Sequence, residues 1–187
     1  LGRTISWQEY IEVFIGFDDR DAFKHALPSI DANQLNQLIV EKAAAFQQLL
    51  KEGGAAALPG AVNLIQHLSA RIPIAICSGA LREDIDPIVE QLGVADAFET
   101  IVTAEDTPRS KPDPAPYILT AKRLEISDGL VIEDTPAGIA SAKGAGLKVL
   151  AVTNSYAAEF LTEADAVVTT LEGLTLEKLN ELLEQSD

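Results

Sequence analysis

The segment from residue 130 to residue 146 reads LVIEDTPAGIASAKGAG, and its pattern is the most informative about the fold. An apolar run ends at Ile132, an acidic pair follows at Glu133 and Asp134, and small residues then lead to the glycines. This order predicts a buried strand, a turn that carries both carboxylates, and a helix that ends at Gly144 to Gly146. Adjacent carboxylates offer hard oxygen ligands, so Glu133 and Asp134 are the candidate Mg²⁺ ligands.

The chain on both sides of this segment repeats the same alternation. Short apolar runs such as residues 72–77, 98–103 and 147–152 are separated by amphipathic stretches of about ten residues. Strands that alternate with helices predict an α/β fold with a doubly wound parallel sheet. Ligands of such folds bind at the carboxyl ends of the strands.

The first part of the chain has a different pattern. Apolar residues from Leu35 to Leu50 recur with a period near 3.6, and Asp31 is placed to cap that helix. Ser6 is a second candidate cap, and the pair Gly53-Gly54 is typical of a helix end followed by a joint. We therefore expect a helical cap domain at residues 1–56 and an α/β core at residues 57–187.

Polar residues follow the predicted strands where a ligand would bind. Ser78 comes directly after one strand, and its hydroxyl with the backbone N–H groups of Gly79 and Ala80 would favour an anion at a helix N-terminus. Lys111 lies in the loop after the next strand and would add a positive charge, with Asp113 placed to orient it. Ser78, Gly79, Ala80 and Lys111 are the candidate phosphate-binding residues.

In this order, the sequence resembles the haloacid dehalogenase-like phosphatases and phosphomutases that carry a helical cap. Ser78 matches the second motif of that family, Lys111 the third, and Glu133 with Asp134 the fourth. The resemblance implies a Rossmann-like core in which the serine and lysine hold the transferring phosphoryl group and the acidic pair binds Mg²⁺. Ser78 and Lys111 are accordingly the candidate catalytic residues of this chain.

The resemblance also assigns a role to the first part of the chain. Residues 16–20, with the sequence GFDDR, look like the cap loop that faces the substrate in this family. Charged side chains in and just after that loop would then choose the leaving group. The candidate specificity residues are Asp18, Asp19, Arg20 and Lys24.

One motif of the family has no counterpart in the chain. The first motif, Asp-x-Asp-Gly-Thr, supplies the aspartate nucleophile and an acid/base aspartate, on a strand that the family fold places between the strands ending at Cys77 and Ile132. The segment Asp19-Arg20-Asp21 is rejected as a substitute because Gly-Thr does not follow it and its flanks are helical in pattern. We expect the nucleophile to lie upstream of Leu1 and the chain by itself to be inactive.

Composition narrows the choice of partner. A formal net charge of −15 disfavours a nucleic acid, because phosphate backbones are neutralised by a basic surface. No apolar run is long enough to span a bilayer, and one cysteine excludes an internal disulfide. We expect a cytoplasmic monomer that acts on a small phosphorylated metabolite.

The sequence leaves the reaction itself open among three functions. The first is a Mg²⁺-dependent phosphatase that works through an aspartyl phosphate. The second is a sugar phosphomutase of the β-phosphoglucomutase kind, because it shares every motif found here. The third is a non-catalytic binding protein on a scaffold that has lost its nucleophile.

Overall fold

The computed structural model of the protein describes residues 4–14 and 17–184, and its first part is helical. The elements are α1 (Trp7–Glu9), a π-helical turn (Tyr10–Phe14), α2 (Asp19–Ala26) and α3 (Ala32–Gly53). Gly16 of the expected substrate loop lies outside the described residues. Residues 4–14 and 17–53 are called here the helical part.

Side-chain caps begin each helix of the helical part. Ser6 accepts from the backbone N–H of Glu9, Asp18 caps α2, and Asp31 caps α3 in a capping box with Gln34. The predicted caps at Ser6 and Asp31 are therefore confirmed. Helix α3 ends at Gly53, and Gly54 follows with a φ of 72°, in the left-handed region that glycine adopts without strain.

Strands and helices alternate from Ala61 to Glu184, as the apolar runs predict. The helices are α4 (Ala61–Ser69), α5 (Arg82–Gln91), α6 (Ala115–Arg123), α7 (Pro136–Gly144) and α8 (Leu176–Glu184). Two short 3₁₀ turns lie at Ala95–Ala97 and Ala158–Phe160. The strands are β1 (Ala75–Cys77), β2 (Thr100–Val102), β3 (Leu130–Glu133), β4 (Lys148–Val152) and β5 (Ala166–Val168).

The strands are parallel and carry helices on both faces. Strand β4 shows this directly, because Val149 and Ala151 pack in one cluster with α6 and α7. Leu150 and Val152, which alternate with them, pack in a second cluster with α4 and α8. The predicted fold class, an α/β fold with a doubly wound parallel sheet, is confirmed.

The strands form two separate sheets among the described residues. One contains β1 and β2, and the other has the order β3-β4-β5. Between β1 and β3 lies an apolar cavity of about 550 Å³, called here the sheet groove. Its lining includes residues of both strands, among them Ala75, Cys77, Leu130 and Ile132.

Backbone direction explains why this groove has polar edges. The carbonyl of Ile74 and the N–H of Ser78 bond to the β2 side, and N–H and C=O groups of a strand change sides at each residue. Ala75 and Cys77 therefore turn their peptide groups toward the groove. The carbonyl of Gly129 bonds to the β4 side, so by the same alternation Leu130 and Ile132 face the groove from β3.

Among the described residues, the polar contacts that join the helical part to the α/β part, residues 61–184, include the following three. Lys42 on α3 reaches Asp84 on α5, with 2.8 Å between Nζ and Oδ2. Asp21 on α2 accepts from the Ser110 hydroxyl at 3.0 Å, and Gln47 donates to the carbonyl of Glu83 at 2.7 Å. The division of the chain into domains near residue 56 stays a prediction.

Within the described ranges, no helix is long and apolar enough to cross a membrane.

Candidate active site

The candidate residues come together at one end of the strands. Because the carboxyl ends of parallel strands share one edge of a fold, residues that follow β1 and β3 lie side by side. A cavity of about 450 Å³ opens there and is called here the site cavity. Its lining contains every candidate phosphate and metal residue: Ser78, Gly79, Ala80, Lys111, Glu133 and Asp134.

The Ser78 loop precedes α5 by a short turn. The Ser78 hydroxyl oxygen accepts from the N–H of Ala80 at 3.1 Å, which leaves the hydroxyl hydrogen able to donate. Helix α5 starts at Arg82, after the N-cap residue Leu81, and the Arg82 N–H donates to a carboxylate oxygen of Glu105. The N–H groups of Ala80 and Arg82 are therefore already hydrogen-bonded within the protein, and the Ser78 hydroxyl hydrogen is a donor that the loop can present to the cavity.

The ammonium of Lys111 is held by three acceptors. It donates to the backbone carbonyl of Cys77 at 3.0 Å, to the hydroxyl of Tyr117 at 3.1 Å and to Oε1 of Glu133 at 2.5 Å. The Lys111 and Glu133 side chains are only 13% and 7% exposed, so this ion pair is well shielded from water. The positive charge of Lys111 is thus fixed at the edge of the site cavity.

Glu133 uses both carboxylate oxygens within the protein. Oε1 accepts from Lys111 and Tyr117, and Oε2 accepts from the backbone N–H of Asp134 and the hydroxyl of Thr135. Burial would raise the pKa of Glu133. The charge of Lys111 and the hydrogen bonds from Lys111 and Tyr117 outweigh burial, so the pKa of Glu133 is lowered. Glu133 is the last residue of β3, one position further into the strand than predicted.

Tyr117 is a site residue that the sequence did not indicate. It is 5% exposed, and its hydroxyl oxygen lies 2.7 Å from Oε1 of Glu133. Burial and the negative charge of Glu133 raise the pKa of Tyr117 far above its ordinary value, so the hydroxyl stays protonated. The available signal was its place in the first turn of a helix that starts four residues after Lys111.

Asp134 is held differently from its neighbour. Asn154 and Ser155, in the loop after β4, donate to the same carboxylate oxygen, Oδ2, at 3.2 Å and 2.5 Å. Among the contacts of the described residues, the other oxygen stays open to a cation. Sequence reasoning missed both donors, although they follow the strand that pairs with β3 and so had to lie at the same edge.

The donor set fits Mg²⁺ only in part. Within residues 4–14 and 17–184, no cluster of three or more acidic, histidine or cysteine side chains could hold a metal ion. Mg²⁺ is usually held by one or two carboxylates, with water and substrate phosphate completing its shell. Asp134 suits that role, whereas the contacts of Glu133 tie it to Lys111.

Asp113, which was expected to orient Lys111, contacts other groups instead. One of its oxygens accepts from the N–H of Ala115 at 2.9 Å, which satisfies the start of α6, and the other pairs with Arg109 at 3.0 Å. The side-chain acceptors that the Lys111 ammonium meets are instead those of Glu133 and Tyr117.

The candidate specificity residues lie around the start of α2. Asp18 caps the helix, Asp19 lies 3.1 Å from Lys42, and Arg20 and Lys24 are exposed. Of the described residues in the helical part, the one that lines the site cavity is Phe17. The selection of a leaving group by the four charged residues stays a prediction. Asp19 and Asp21 lie in the first turn of a helix, which agrees with their rejection as a strand-borne motif.

Comparison with known proteins identifies the family. Residues 2–152 match the model of the haloacid dehalogenase-like hydrolases, and this range includes all the candidate site residues. The chain belongs to that family.

Two curated relatives of this family member are phosphatases by name. Validoxylamine A 7'-phosphate phosphatase of Streptomyces hygroscopicus subsp. limoneus is 31% identical over 158 residues, which is 83% of this chain and 74% of that protein. Hexitol phosphatase A of Escherichia coli K12 is 39% identical over 129 residues, which is 67% of this chain and 59% of that protein. The chain therefore spans between half and three quarters of these two relatives.

Solved structures show the same fold. The crystal structure of CbbY from Rhodobacter sphaeroides in complex with phosphate has a TM-score of 0.87 and 22% identity, covering 96% of this chain and 85% of that one. β-Phosphoglucomutase from Clostridium difficile has a TM-score of 0.85 and 24% identity, covering 98% and 84%. At these identities the likeness concerns the fold, and the chemistry must be argued from the site.

Proposed function

We propose that the protein is a Mg²⁺-dependent phosphatase of a small phosphorylated metabolite. The observation that carries this proposal is the grouping of a hydroxyl, an ammonium and a carboxylate around one cavity, at Ser78, Lys111 and Asp134. These groups are what a transferring phosphoryl group requires, because its charge is spread over three oxygens. Membership of a hydrolase family whose relatives include named phosphatases supports the same reaction class.

Each group has a separate task in this proposal. Ser78 donates its hydroxyl hydrogen to one phosphoryl oxygen, with the backbone N–H of Gly79 beside it. Lys111 neutralises a second oxygen from a position that Glu133 fixes. Asp134 would hold Mg²⁺, which when bound reduces the repulsion between a carboxylate nucleophile and the phosphoryl oxygens.

The nucleophile is proposed to come from a strand in the sheet groove. The groove has peptide groups on both edges, and burying such groups unpaired is costly. It also shares Cys77, Ile132 and Leu171 with the lining of the site cavity, so an extended segment in the groove would end at the site. An aspartate at that end would face the phosphoryl group, as the first motif of the family does.

The proposed reaction has two steps. An aspartate oxygen attacks phosphorus, the bond to the leaving oxygen breaks, and the second aspartate of the motif gives its proton to that oxygen. Water then attacks the aspartyl phosphate, loses a proton to the second aspartate, and inorganic phosphate leaves. Asp18, Asp19, Arg20 and Lys24 are proposed to select the leaving group when the helical part closes over the site.

A panel of phosphate esters tests this proposal. We expect the 187-residue chain alone not to hydrolyse p-nitrophenyl phosphate, and a species with an Asp-x-Asp-Gly-Thr strand in the groove to release phosphate in the presence of Mg²⁺. Lys111→Met in that species should reduce turnover about a hundredfold or more. Robust hydrolysis by the chain alone would contradict the proposed source of the nucleophile.

The same panel separates the alternatives. Conversion of glucose 1-phosphate to glucose 6-phosphate without release of phosphate would replace the phosphatase by a phosphomutase. Binding of inorganic phosphate without turnover of any ester, in the species with the added strand, would indicate a non-catalytic binding protein.

A further inference from the structure

The surroundings of the Lys111 ammonium contain a group that the proposed reaction does not use. An ammonium has three N–H donors, and here they meet acceptors on three different elements: Cys77 on β1, Tyr117 on α6 and Glu133 on β3. The Cys77 carbonyl belongs to the strand backbone, and the Glu133 carboxylate forms the ion pair with Lys111. Packing does not require the Tyr117 hydroxyl, because an apolar side chain of the same size would fill the same space.

The hydrogen-bond direction at Tyr117 is fixed by its partners. An ionised carboxylate only accepts and an ammonium only donates, so the tyrosine hydroxyl must donate to Glu133 and accept from Lys111. Its single hydrogen lies on the 2.7 Å contact with Oε1 of Glu133, and its oxygen receives the 3.1 Å contact from Nζ of Lys111. One hydroxyl thus joins both members of the ion pair.

The ring of Tyr117 adds a second restraint on the same ammonium. Nζ of Lys111 lies 4.7 Å from the ring centroid, within the range of a cation–π contact. The ring itself is fixed, because Tyr117 packs in the cluster that contains Ile139, Ala142 and Val149. The buried ring and its hydroxyl together confine a side chain that has four flexible methylene groups.

We propose that Tyr117 is a positioning residue that fixes the Lys111 ammonium at the edge of the site cavity. The proposal rests on the proposed phosphatase function, in which the charge of Lys111 neutralises a phosphoryl oxygen. Glu133 supplies the opposite charge of the ion pair, and Tyr117 sets the direction of the ammonium. Since the charge of Lys111 acts on the phosphoryl oxygens and not on the leaving group, loss of the Tyr117 hydroxyl should affect all esters alike.

Tyr117→Phe tests this with little change in packing. In the 187-residue chain, side-chain ¹⁵N NMR of the lysine ammonium groups reports on Lys111 directly, and its signal is assigned by its loss in Lys111→Met. We expect the hydrogen exchange of that ammonium with water to become about fivefold faster, the equivalent of one lost hydrogen bond. Tyr10→Phe removes a hydroxyl in the helical part and is the matched control, with no change expected.

Turnover of esters by the species with the added Asp-x-Asp-Gly-Thr strand gives the second measurement. We expect Tyr117→Phe to lower kcat/KM about tenfold, with the same factor for esters of different leaving groups. A residue that acted on the leaving group would change the factor from one ester to the next. Thermal unfolding and circular dichroism check that the variant is folded.

The outcomes distinguish this inference from the function on which it rests. Unchanged exchange of the Lys111 ammonium in the folded variant would overturn the positioning role. Faster exchange with full ester turnover would also overturn it, because the position would have no consequence for the reaction. Faster exchange, together with no ester hydrolysis by the unsubstituted species that carries the added Asp-x-Asp-Gly-Thr strand, would support the positioning of Lys111 and reject the phosphatase function.

Discussion

The ammonium of Lys42 on α3 lies 2.8 Å from a carboxylate oxygen of Asp84 on α5, and this ion pair joins the helical part to the α/β part. Its two ends differ in exposure, since the Lys42 side chain is 37% exposed and that of Asp84 is 4% exposed. The other oxygen of Asp84 is buried and has no hydrogen-bond partner among the described residues. Burial opposes the charge of Lys42, but the carboxylates of Asp84 and Asp19 outweigh it and raise the Lys42 pKa.

Lys42→Met should therefore destabilise the protein. The substitution leaves the buried carboxylate of Asp84 without its cation. This lowers the free energy of unfolding by more than the intact ion pair contributes to it. Because Lys42 is partly exposed, we expect a loss of about 2 kcal/mol in the free energy of unfolding, less than for a fully buried pair. Urea denaturation measures this, and hydrogen exchange should show faster opening of α3.

Two further variants separate the ion pair from the helix that carries it. Lys51→Met changes an exposed lysine on the same helix and should alter stability little. Lys42→Met combined with Asp84→Leu removes both charges and should recover part of the loss. Equal losses in Lys42→Met and Lys51→Met would show that the pair contributes nothing.

Gly138 is expected to tolerate no side chain. A Cβ atom at this position would lie 2.0 Å from the carboxylate of Glu133, which is held by four donors and cannot move away. Gly138→Ala should cost about 3 kcal/mol or more, because it breaks the contact between Glu133 and Lys111. The matched control is Gly53→Ala, where a Cβ would meet nothing within 4 Å, and this variant should be neutral or slightly stabilising. Thermal unfolding of both variants decides the prediction.

The sequence predicted most elements of the fold because local patterns determine them. The alternation of apolar runs gave the strands within about three residues, and the caps at Ser6 and Asp31 follow from side chains that can reach only nearby N–H groups. The separation into two sheets depends on which strands lie side by side, and no local pattern specifies that for a strand as short as β1. The expectation of a further strand between those that end at Cys77 and Ile132 came from the family resemblance.

The candidate site was predictable where a residue acts from a strand end. Ser78, Lys111 and Asp134 were found because strand ends meet at one edge of the fold. Tyr117 was missed, since a buried tyrosine in an amphipathic helix has the pattern of any core residue. Ser155 was missed because a serine in a loop gives no signal until the carboxylate beside it is known.

Stability should depend on pH through Asp106. The Arg123 guanidinium and the backbone N–H of Thr103 lower the pKa of Asp106 below its ordinary value of 3.8. A lowered pKa in the folded state favours folding above pH 3.8, and the contribution is lost as the pH falls through the folded-state value. The difference in unfolding free energy between the protein and Asp106→Asn should be constant near neutral pH and shrink below pH 3.8. A difference for Asp106→Asn that grows on acidification would reverse the assigned sign.

Ser155 should control the Mg²⁺ affinity that we propose for Asp134. Its hydroxyl donates to Oδ2 of Asp134 at 2.5 Å, and groups that orient a metal ligand in this way typically change metal affinity by about 10-fold or more. We expect Ser155→Ala to weaken Mg²⁺ binding about tenfold by calorimetric titration in the species that hydrolyses esters, and Asp134→Asn to abolish it. Ser127→Ala, at an exposed position away from the site cavity, should leave the affinity unchanged. If Mg²⁺ binds equally well to the Ser155→Ala and unsubstituted proteins, the carboxylate is oriented by Asn154 alone or the ion binds elsewhere.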